Sequence, residues 1–258
     1  MRFFPQVENT LRVAAQLGRG AADFAVHVKG LEIPMHDPRA FFSWAVNYAT
    51  SPRGGCHLHG MSGWYENRQD PCPEWGLTGY YPRHSNEGKA AITRVAQNWA
   101  HIVDSMVICY FAGFTLKPSD LAALINHATG SELTPQDLFT IGDRINALHR
   151  AHNYRCGIRR ADDWLPVRSL TQLAEGGAAG KVPDLAQQLD EYYHLRRWEP
   201  DGKPSRPSLH AWRCPRAASG PAEAATWKIA GTAASRGLAS RIVVVPPGCT
   251  PDCCAGSR

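Results

Sequence analysis

Two adjacent glycines, Gly54 and Gly55, stand directly before Cys56 and His57, and they constrain the chain more than any other feature. Glycine weakens helices and strands, so a glycine pair is typical of backbone that turns tightly or approaches another group closely. We therefore expect a turn at this position, outside any regular element. We also expect another group to lie against its backbone, and we interpret that group as a bound cofactor.

The first fifty residues show boundaries of short elements. Asn9 and Thr10 can cap a first helix, which Gly18 and Gly20 are expected to end. The segment from Val28 to Met35 is interrupted by glycine and proline and is expected to be extended. Asp37-Pro38 is typical of an N-cap and first turn, and it predicts a helix that runs to about Ala49.

The strongest helix signal lies after Asn86, where apolar residues recur at three- and four-residue spacing. These residues are Ile92, Val95, Trp99, Ile102 and Met106. They predict one buried face of a helix that ends near Cys109. Residues 61–85 are rich in Pro, Gly, Trp and Tyr without any period, so we expect them to form a long irregular segment.

Three further helices have recognisable boundaries. One is predicted from Pro118 to His127, with a stop at Gly130. Thr134 and Asp137 resemble a capping box that opens a longer helix, and apolar residues between 185 and 192 predict a last one. Strand signals are few, so the predicted fold class is mainly α.

The net charge of +5 lies within residues 201–258, because the first 200 residues carry equal numbers of acidic and basic side chains. Periodicity also ends near residue 205. We predict a helical region over residues 1–205, as one unit or two subdomains, and a low-complexity, disordered tail over residues 206–258. The tail is basic but lacks a dense basic run with interleaved aromatic residues, which disfavours nucleic-acid binding.

Composition also bears on the compartment. No run of eighteen apolar residues is present, and the residues after Met1 lack the apolar core of a secretory signal. We therefore expect a cytoplasmic protein that does not interact with membranes. The eight cysteines are scattered without a CxxC pair, which argues against a zinc ribbon or a thioredoxin-type site.

Several motifs follow one another in a characteristic order. The first are Lys29-Gly-Leu-Glu32, Asp37-Pro-Arg39 and Gly55-Cys-His57. The later ones are Glu87-Gly-Lys89, Asp104-Ser105 followed by Cys109, Gly142-Asp-Arg-Ile145, Arg159-Arg160, Asp162-Asp163, Leu165-Pro166 and Glu191-Tyr-Tyr193. Together they resemble the aldehyde ferredoxin oxidoreductase family of tungsten enzymes. The resemblance covers about residues 10 to 205 and implies the helical carboxy-terminal domains of that family.

The resemblance implies two cofactors, a [4Fe-4S] cluster and a bis-pterin that holds tungsten or, more rarely, molybdenum. It implies that Cys109 ligates the cluster and that Asp104 and Ile108 contact a pterin. A carboxylate can accept hydrogen bonds from adjacent N–H groups of a pterin ring. Without the resemblance, Cys109 reads as a core cysteine and Asp104 as a solvated residue at a helix end.

The spacing of Asp104 and Cys109 sets a condition on the backbone. Five residues of ideal helix leave the two side chains about 140° apart, so the helix must end between them if both face cofactors. Val107 and Ile108 stand where the family has glycine and leucine. Valine tolerates fewer backbone conformations than glycine, which makes this the most informative departure from the family pattern.

Two histidines complete the predicted site. His57 matches a family histidine close to the metal, and His59 stands where the family often has a cationic pterin contact. Aldehyde oxidation adds water-derived oxygen and releases protons, so an imidazole near neutrality is a suitable proton acceptor. We predict His57 as the catalytic residue and His59 as a cofactor contact. The structural alternative is an ordinary packed histidine for each.

Parts of the family pattern have no counterpart in this sequence. These are the other three cluster cysteines, spaced CxxCxxxC, and an amino-terminal β-rich pterin domain. We therefore expect an incomplete oxidoreductase that converts small aldehydes to carboxylates, with ferredoxin as electron acceptor, only together with a separate amino-terminal pterin-domain chain. Both cofactors would be incomplete in this chain alone. The alternative is a non-catalytic helical assembly or binding subunit that has lost its cofactors.

Overall fold

The computed structural model describes residues 10–68, 72–206 and 209. Within these residues there are two short strands, β1 (His27–Val28) and β2 (Leu31–Glu32), which form an antiparallel hairpin. The helices are α1 (Thr10–Leu17), α2 (Ser43–Thr50), α3 (Ser62–Arg68), α4 (Lys89–Ser105), α5 (Tyr110–Gly113), α6 (Pro118–Thr129), α7 (Pro135–Arg155) and α8 (Leu185–Arg196). The predicted mainly α fold class is confirmed.

Helix α4 lies at the centre and packs against α7, α8 and α2. The predicted apolar face of this helix is buried, since Ile92, Val95, Trp99 and Ile102 all belong to one core cluster. Leu121 of α6 and Leu138 of α7 belong to the same cluster. Met106 lies just beyond the last turn of α4 and is half-buried against the same core.

The boundaries of α6 and α7 follow their sequence signals. Helix α6 ends at Gly130, whose φ of 71° is in the left-handed region that glycine tolerates. Helix α7 begins with a capping box in which the Thr134 amide donates to Asp137 at 2.8 Å and the Asp137 amide donates to the Thr134 hydroxyl at 3.2 Å. Helix α8 also forms as predicted.

The predicted start of α2 at Pro38 is wrong, because the helix begins five residues later, at Ser43. The Asp37 carboxylate accepts hydrogen bonds from both the amide and the guanidinium of Arg39. The same guanidinium donates to the carbonyls of Arg168 and Thr171 at 2.9 and 2.8 Å. These bonds hold the segment before α2 as a turn against a distant part of the chain, so Asp37 stabilises a turn instead of a helix.

The prediction of a wholly irregular segment over residues 61–85 is also wrong in part, because α3 lies within it. Glu66 on α3 is buried and contacts Ser43 and Lys89 on two other helices. Gly63 allows the close approach of α3 to Trp44, since a Cβ at this glycine would lie 2.1 Å from the indole nitrogen. Helix α3 is therefore stabilised by contacts with residues that are distant in the sequence. A periodic pattern of apolar residues within the segment cannot predict such contacts.

The predicted tail over residues 206–258 lies outside the described residues, apart from Arg206 and Leu209, and its disorder stays a prediction. Among the helices of the described residues, we find none with the length and apolar character that a membrane crossing requires.

Candidate functional site

The glycine pair turns where the sequence predicts, and the group that lies against it is the β1–β2 hairpin. Gly54 has a φ of 103°, and a Cβ there would lie 2.2 Å from the Val28 carbonyl oxygen. A Cβ at Gly55 would lie 2.8 Å from the Leu31 carbonyl oxygen. The close approach inferred from the sequence is therefore real, but the interpretation of its partner as a cofactor is wrong. The two glycines allow the loop to pack closely against the backbone of the hairpin.

Three helices hold the rest of this loop, which we call the histidine loop (residues 51–60). The Asn47 side chain of α2 donates to the Cys56 carbonyl at 3.4 Å, and the Asn153 side chain of α7 donates to the Pro52 carbonyl at 2.6 Å. Gly60 packs so closely on Asn47 and on Gln97 of α4 that a Cβ would overlap both. The loop is thus fixed at both ends, which places His57 and His59 on a rigid support.

Helix α4 ends where the cofactor hypothesis requires it to end. Its last residue is Ser105, and the amide of Ile108 donates back to the Val103 carbonyl at 3.1 Å. Val107 has a φ of 57°, in the left-handed region that favours glycine. Cys109 then caps the short helix α5. Valine thus holds the conformation that glycine would adopt at this position, and the chain turns between Asp104 and Cys109.

The turn after α4 exposes two of the three predicted cofactor residues on this segment. Asp104 and Cys109 are exposed, whereas Cys56 is buried. Ile108 is half-buried and packs against the core cluster around α4. Its side chain therefore supports the turn, and its predicted pterin contact stays a prediction. An exposed thiol is chemically suited to ligate a cluster, and an exposed carboxylate can accept hydrogen bonds from a bound ring.

Arg53 connects the histidine loop with the end of α4. Its guanidinium donates two hydrogen bonds to the buried Cys56 sulfur, at 2.9 and 3.1 Å. Partial burial raises the pKa of Asp104, and the positive charge of Arg53 opposes that rise. The same charge lowers the pKa of both His57 and His59, although burial is the larger cause for each. Arg53 therefore lies within electrostatic reach of three predicted site residues.

His57 is half-buried beside a second histidine. Its ring centroid lies 5.2 Å from that of His36, which stacks on Trp44 at 5.4 Å. Burial lowers the pKa of His57, and the His36 and Arg53 side chains lower it further. The imidazole of His57 is consequently neutral near pH 7, which is the form that can accept a proton.

His59 belongs to a cluster of three histidines that the sequence did not indicate. Ring centroids are 5.1 Å apart for His101 and His149, 5.9 Å for His59 and His101, and 6.4 Å for His59 and His149. Burial lowers the pKa of all three, that of His59 to about 4. His59 is therefore uncharged near neutral pH, and its predicted role as a cofactor contact stays a prediction. The two partners lie on different helices, and no spacing rule joins them.

Within the described ranges, no group of three or more His, Cys, Asp or Glu side chains is arranged to hold a metal ion. A cubane cluster takes four ligands. Cys109 is an exposed thiol, and its predicted role as a cluster ligand stays a prediction.

The architecture and these residues agree with the comparison of the sequence with known families. The family model for aldehyde ferredoxin oxidoreductase, domains 2 and 3, matches residues 8–212. The chain belongs to this family. The helical region predicted for residues 1–205 and the helices from α1 to α8 fall almost wholly within the matched range.

Similar members of the aldehyde ferredoxin oxidoreductase family are tungsten-containing aldehyde ferredoxin oxidoreductases of two archaea. The chain is 33% identical to the Pyrococcus furiosus protein and 32% identical to the Thermococcus kodakarensis protein, over 202 residues in both cases. Each match covers 76% of this chain and 31% of the relative. The chain thus spans about a third of the length of the curated relatives it matches.

A solved structure shares the fold of this family member. The active-site complex of a benzoyl coenzyme A reductase superposes with a TM-score of 0.56 at 19% sequence identity. The superposition covers 81% of this chain and 36% of that chain. At this identity the likeness shows the fold alone, and it again corresponds to one part of a larger protein.

Proposed function

We propose that this chain is the carboxy-terminal helical part of a tungsten–pterin oxidoreductase that converts aldehydes to carboxylates and passes the electrons to ferredoxin. The observation that carries the proposal is the turn after α4, which leaves both Asp104 and Cys109 exposed despite valine at position 107. The relatives are named as tungsten-containing aldehyde ferredoxin oxidoreductases, which supports the same chemistry.

Each side chain has a defined part in the proposed site. Asp104 accepts hydrogen bonds from a pterin, and Cys109 supplies one thiolate to a [4Fe-4S] cluster. When bound, the metal-pterin group would take up the electron pair of the aldehyde, and the cluster would carry it towards ferredoxin. His57, which is neutral near pH 7, accepts a proton released by the reaction at its ring nitrogen. Arg53 holds the loop through Cys56.

Completion of the site requires polypeptide beyond the matched third of the relatives. We propose a separate amino-terminal pterin-domain chain as that partner, which supplies the other three cluster cysteines and the other wall of the site. The proposal places the assembly in the cytoplasm, where thiols that ligate clusters remain reduced. Molybdenum is the alternative metal to tungsten.

A second candidate is the non-catalytic assembly subunit that has lost its cofactors. It is favoured by the lack of a three-residue metal-binding group within the described residues. Val107 does not favour it, because its backbone takes the conformation that the family glycine allows. The two candidates differ in one measurable property, the cofactor content of the assembled protein.

The test is an analysis of the tagged chain isolated without oxygen from the cells that naturally produce it. We expect tungsten or molybdenum, iron and pterin to accompany the chain and its partner, together with aldehyde-dependent reduction of a viologen dye. Cys109→Ser should lower the iron content, and Asp104→Asn should lower the pterin content. Cys156→Ser, at the half-exposed end of α7, is the matched control and should change neither.

Two outcomes would contradict the proposal. If the assembled wild-type protein carries neither metal nor pterin, the non-catalytic subunit is the better description. If Cys109→Ser leaves the iron content and the electronic spectrum of the cluster unchanged, Cys109 is not a ligand. Binding of a complete set of cofactors to this chain alone would disprove the claim that a partner completes the site.

A further inference from the structure

A cavity of about 450 Å³ lies beside the turn after α4. It is enclosed by α3, by the short helical turn at residues 73–75 and by α5 with the segment that follows it. Pockets that bind small molecules have volumes of roughly 300–1,000 Å³. The space is therefore large enough for a small organic molecule, and none of the cofactor residues proposed above lines it.

Five of the fourteen residues that line the cavity are aromatic. Trp64 of α3 and Phe114 stack with ring centroids 4.5 Å apart and an angle of 11° between their planes. Trp99 of α4 and Tyr110 of α5 also line the cavity. Aromatic rings attract another ring by stacking or edge-to-face contact, in addition to the gain from burying apolar surface. This wall suits a flat ring better than a flexible chain.

Several polar groups of the wall are engaged by the protein, whereas Lys117, which also lines the cavity, is exposed. The Glu74 carboxylate accepts from the amide and the hydroxyl of Ser119 at 2.8 and 3.0 Å. The Thr115 hydroxyl donates to the Ala112 carbonyl at 2.9 Å, and the Tyr110 hydroxyl is hydrogen-bonded to the backbone of Met61. A ligand that needed buried hydrogen-bond partners would find few here, because a buried polar group without a partner is costly.

We propose that this cavity binds the uncharged aromatic ring of an aryl or arylalkyl aldehyde. The assignment of the ring to an aldehyde rests on the proposed function, whereas binding of the ring itself needs neither metal nor pterin. Chain connectivity links the cavity with the proposed site. Met61 and Tyr110 both line the cavity. Met61 lies two residues after His59, and Tyr110 follows directly after Cys109.

The test measures ring binding by the purified full chain. The probe is 4-fluorobenzyl alcohol, a neutral and unreactive ring observed by fluorine NMR, and 1-hexanol is the aliphatic comparison of similar size. We expect saturable binding of the fluorinated ring with a Kd on the order of 0.1–1 mM, as is typical of a ligand with so few atoms. We expect 1-hexanol to bind about tenfold more weakly, because it gains no aromatic contact.

Two glycines allow a matched pair of variants. The atoms nearest to a Cβ at Gly113, in the cavity wall, would be side-chain atoms of Val103 and Trp99 at 3.4–3.6 Å, so Gly113→Leu adds its bulk beside the cavity without a close backbone contact. A Cβ at the exposed Gly177 would meet nothing within 4 Å, so Gly177→Leu makes the same change far from the cavity. We expect Gly113→Leu to weaken ring binding at least about tenfold and Gly177→Leu to leave it unchanged.

A second measurement keeps the proposal testable if Gly113→Leu fails to fold. In the wild-type chain, the indole N–H signals of Trp64 and Trp99 should shift as the ring is added. The signal of Trp164, which packs edge-on against His27 and does not line the cavity, should not shift.

Ring binding with these two shifts supports the proposal. No binding, equal shifts at all three indoles, or equal affinity for 1-hexanol would overturn it. Each of these outcomes is independent of whether the assembled protein carries metal and pterin. A failure of the cavity to bind the ring can therefore be distinguished from a failure of the proposed function.

Discussion

The middle and the carboxy-terminal end of α4 use charged and polar residues in opposite ways. At the middle, the buried Asp143 of α7 accepts from Asn98 at 2.9 Å and from Arg196 of α8 at 2.7 Å, and it also pairs with Arg94. We call this set, with Gln97, the polar core. At the other end of the helix, which we call the open end (residues 104–111), an acidic side chain and a thiol are exposed.

The difference separates the residues that hold the fold from those available for chemistry. In the polar core the Asp143 carboxylate of α7 pairs with Arg94 of α4 and Arg196 of α8, so that three helices are joined through their side chains. At the open end the exposed residues include Asp104, Val107, Cys109 and Phe111, with Val107 91% exposed in a strained conformation. One helix thus provides both a stable centre and an end that can contact cofactor or partner. The following predictions test that separation.

The largest expected effect is the loss of the buried guanidinium of the polar core. The side chain of Arg196 is fully buried and donates to Asn98 at 2.8 Å, to Gln97 at 2.9 Å and to Asp143. Arg196→Met removes these bonds and leaves a buried carboxylate with fewer partners. We expect the free energy of unfolding, measured with urea, to fall by about 3–5 kcal/mol.

The control for this prediction is an ion pair on the surface. Asp190 is 72% exposed and pairs with Arg160 at 2.5 Å. Exposed pairs contribute little, so Asp190→Asn should change the free energy of unfolding by less than about 1 kcal/mol. Equal losses for Arg196→Met and Asp190→Asn would show that the polar core does not hold the helices together.

The polar core also shows why the sequence predicted one helix interface better than the other. On α4 the buried face is apolar and its period is visible in the sequence. On α7 the buried face carries Asp143, Asn146 and Arg150, while Leu148 is 45% exposed. Polar residues at helical spacing ordinarily indicate a solvated face. Their burial becomes intelligible only when partners from α4 and α8 are present, and no local pattern contains that information.

The candidate site was predictable to a different extent. Asp104, Cys109 and His57 were identified through motifs, and the structure brings the end of α4 and the histidine loop together around Arg53. We expected a cofactor against the glycine pair, and the structure shows the β1–β2 hairpin there. A glycine pair indicates that some group lies close to the backbone, but it does not indicate which group. His101 and His149 were missed because they are far apart in sequence and each lies on a helix where a single histidine carries no signal.

The second prediction concerns the histidine cluster beside the polar core. Burial lowers the pKa of His59 from 6.5 to about 4, so the folded protein binds fewer protons than the unfolded chain between these values. Stability must therefore fall as the pH falls from 6.5 to 4. For His59 this amounts to about 3 kcal/mol. His59→Gln should remove that part of the acid-dependent loss, measured as urea unfolding at pH 7.5 and at pH 4.

The exposed His127, in the last turn of α6, provides the comparison for His59. His127→Gln should leave the difference in unfolding free energy between the two pH values close to that of the wild type. The prediction for His59 is wrong if His59→Gln and His127→Gln lose the same stability on acidification.

The third prediction relieves the strain at the open end. An L-residue in the left-handed region costs about 1–2 kcal/mol, and glycine avoids this cost but loses more chain entropy on folding. Val107→Gly should therefore raise the free energy of unfolding by about 1 kcal/mol. Val167, which is 80% exposed and has a negative φ, is the matched control. Val167→Gly should lower stability by about 0.5–1 kcal/mol, and the same sign for both variants would contradict the strain at Val107.

The smallest expected effect is at the two residues proposed to meet cofactors. Asp104 and Cys109 are exposed, so Asp104→Asn and Cys109→Ser should change the free energy of unfolding of the isolated chain by less than about 0.5 kcal/mol. In the assembled protein the same variants should lower pterin and iron content. A loss of more than about 1.5 kcal/mol in the isolated chain would mean that these residues serve the fold, and the separation between the middle and the end of α4 would no longer hold. A small loss in the free energy of unfolding together with a large loss of pterin or iron would show that the open end serves cofactor binding and not the stability of the fold.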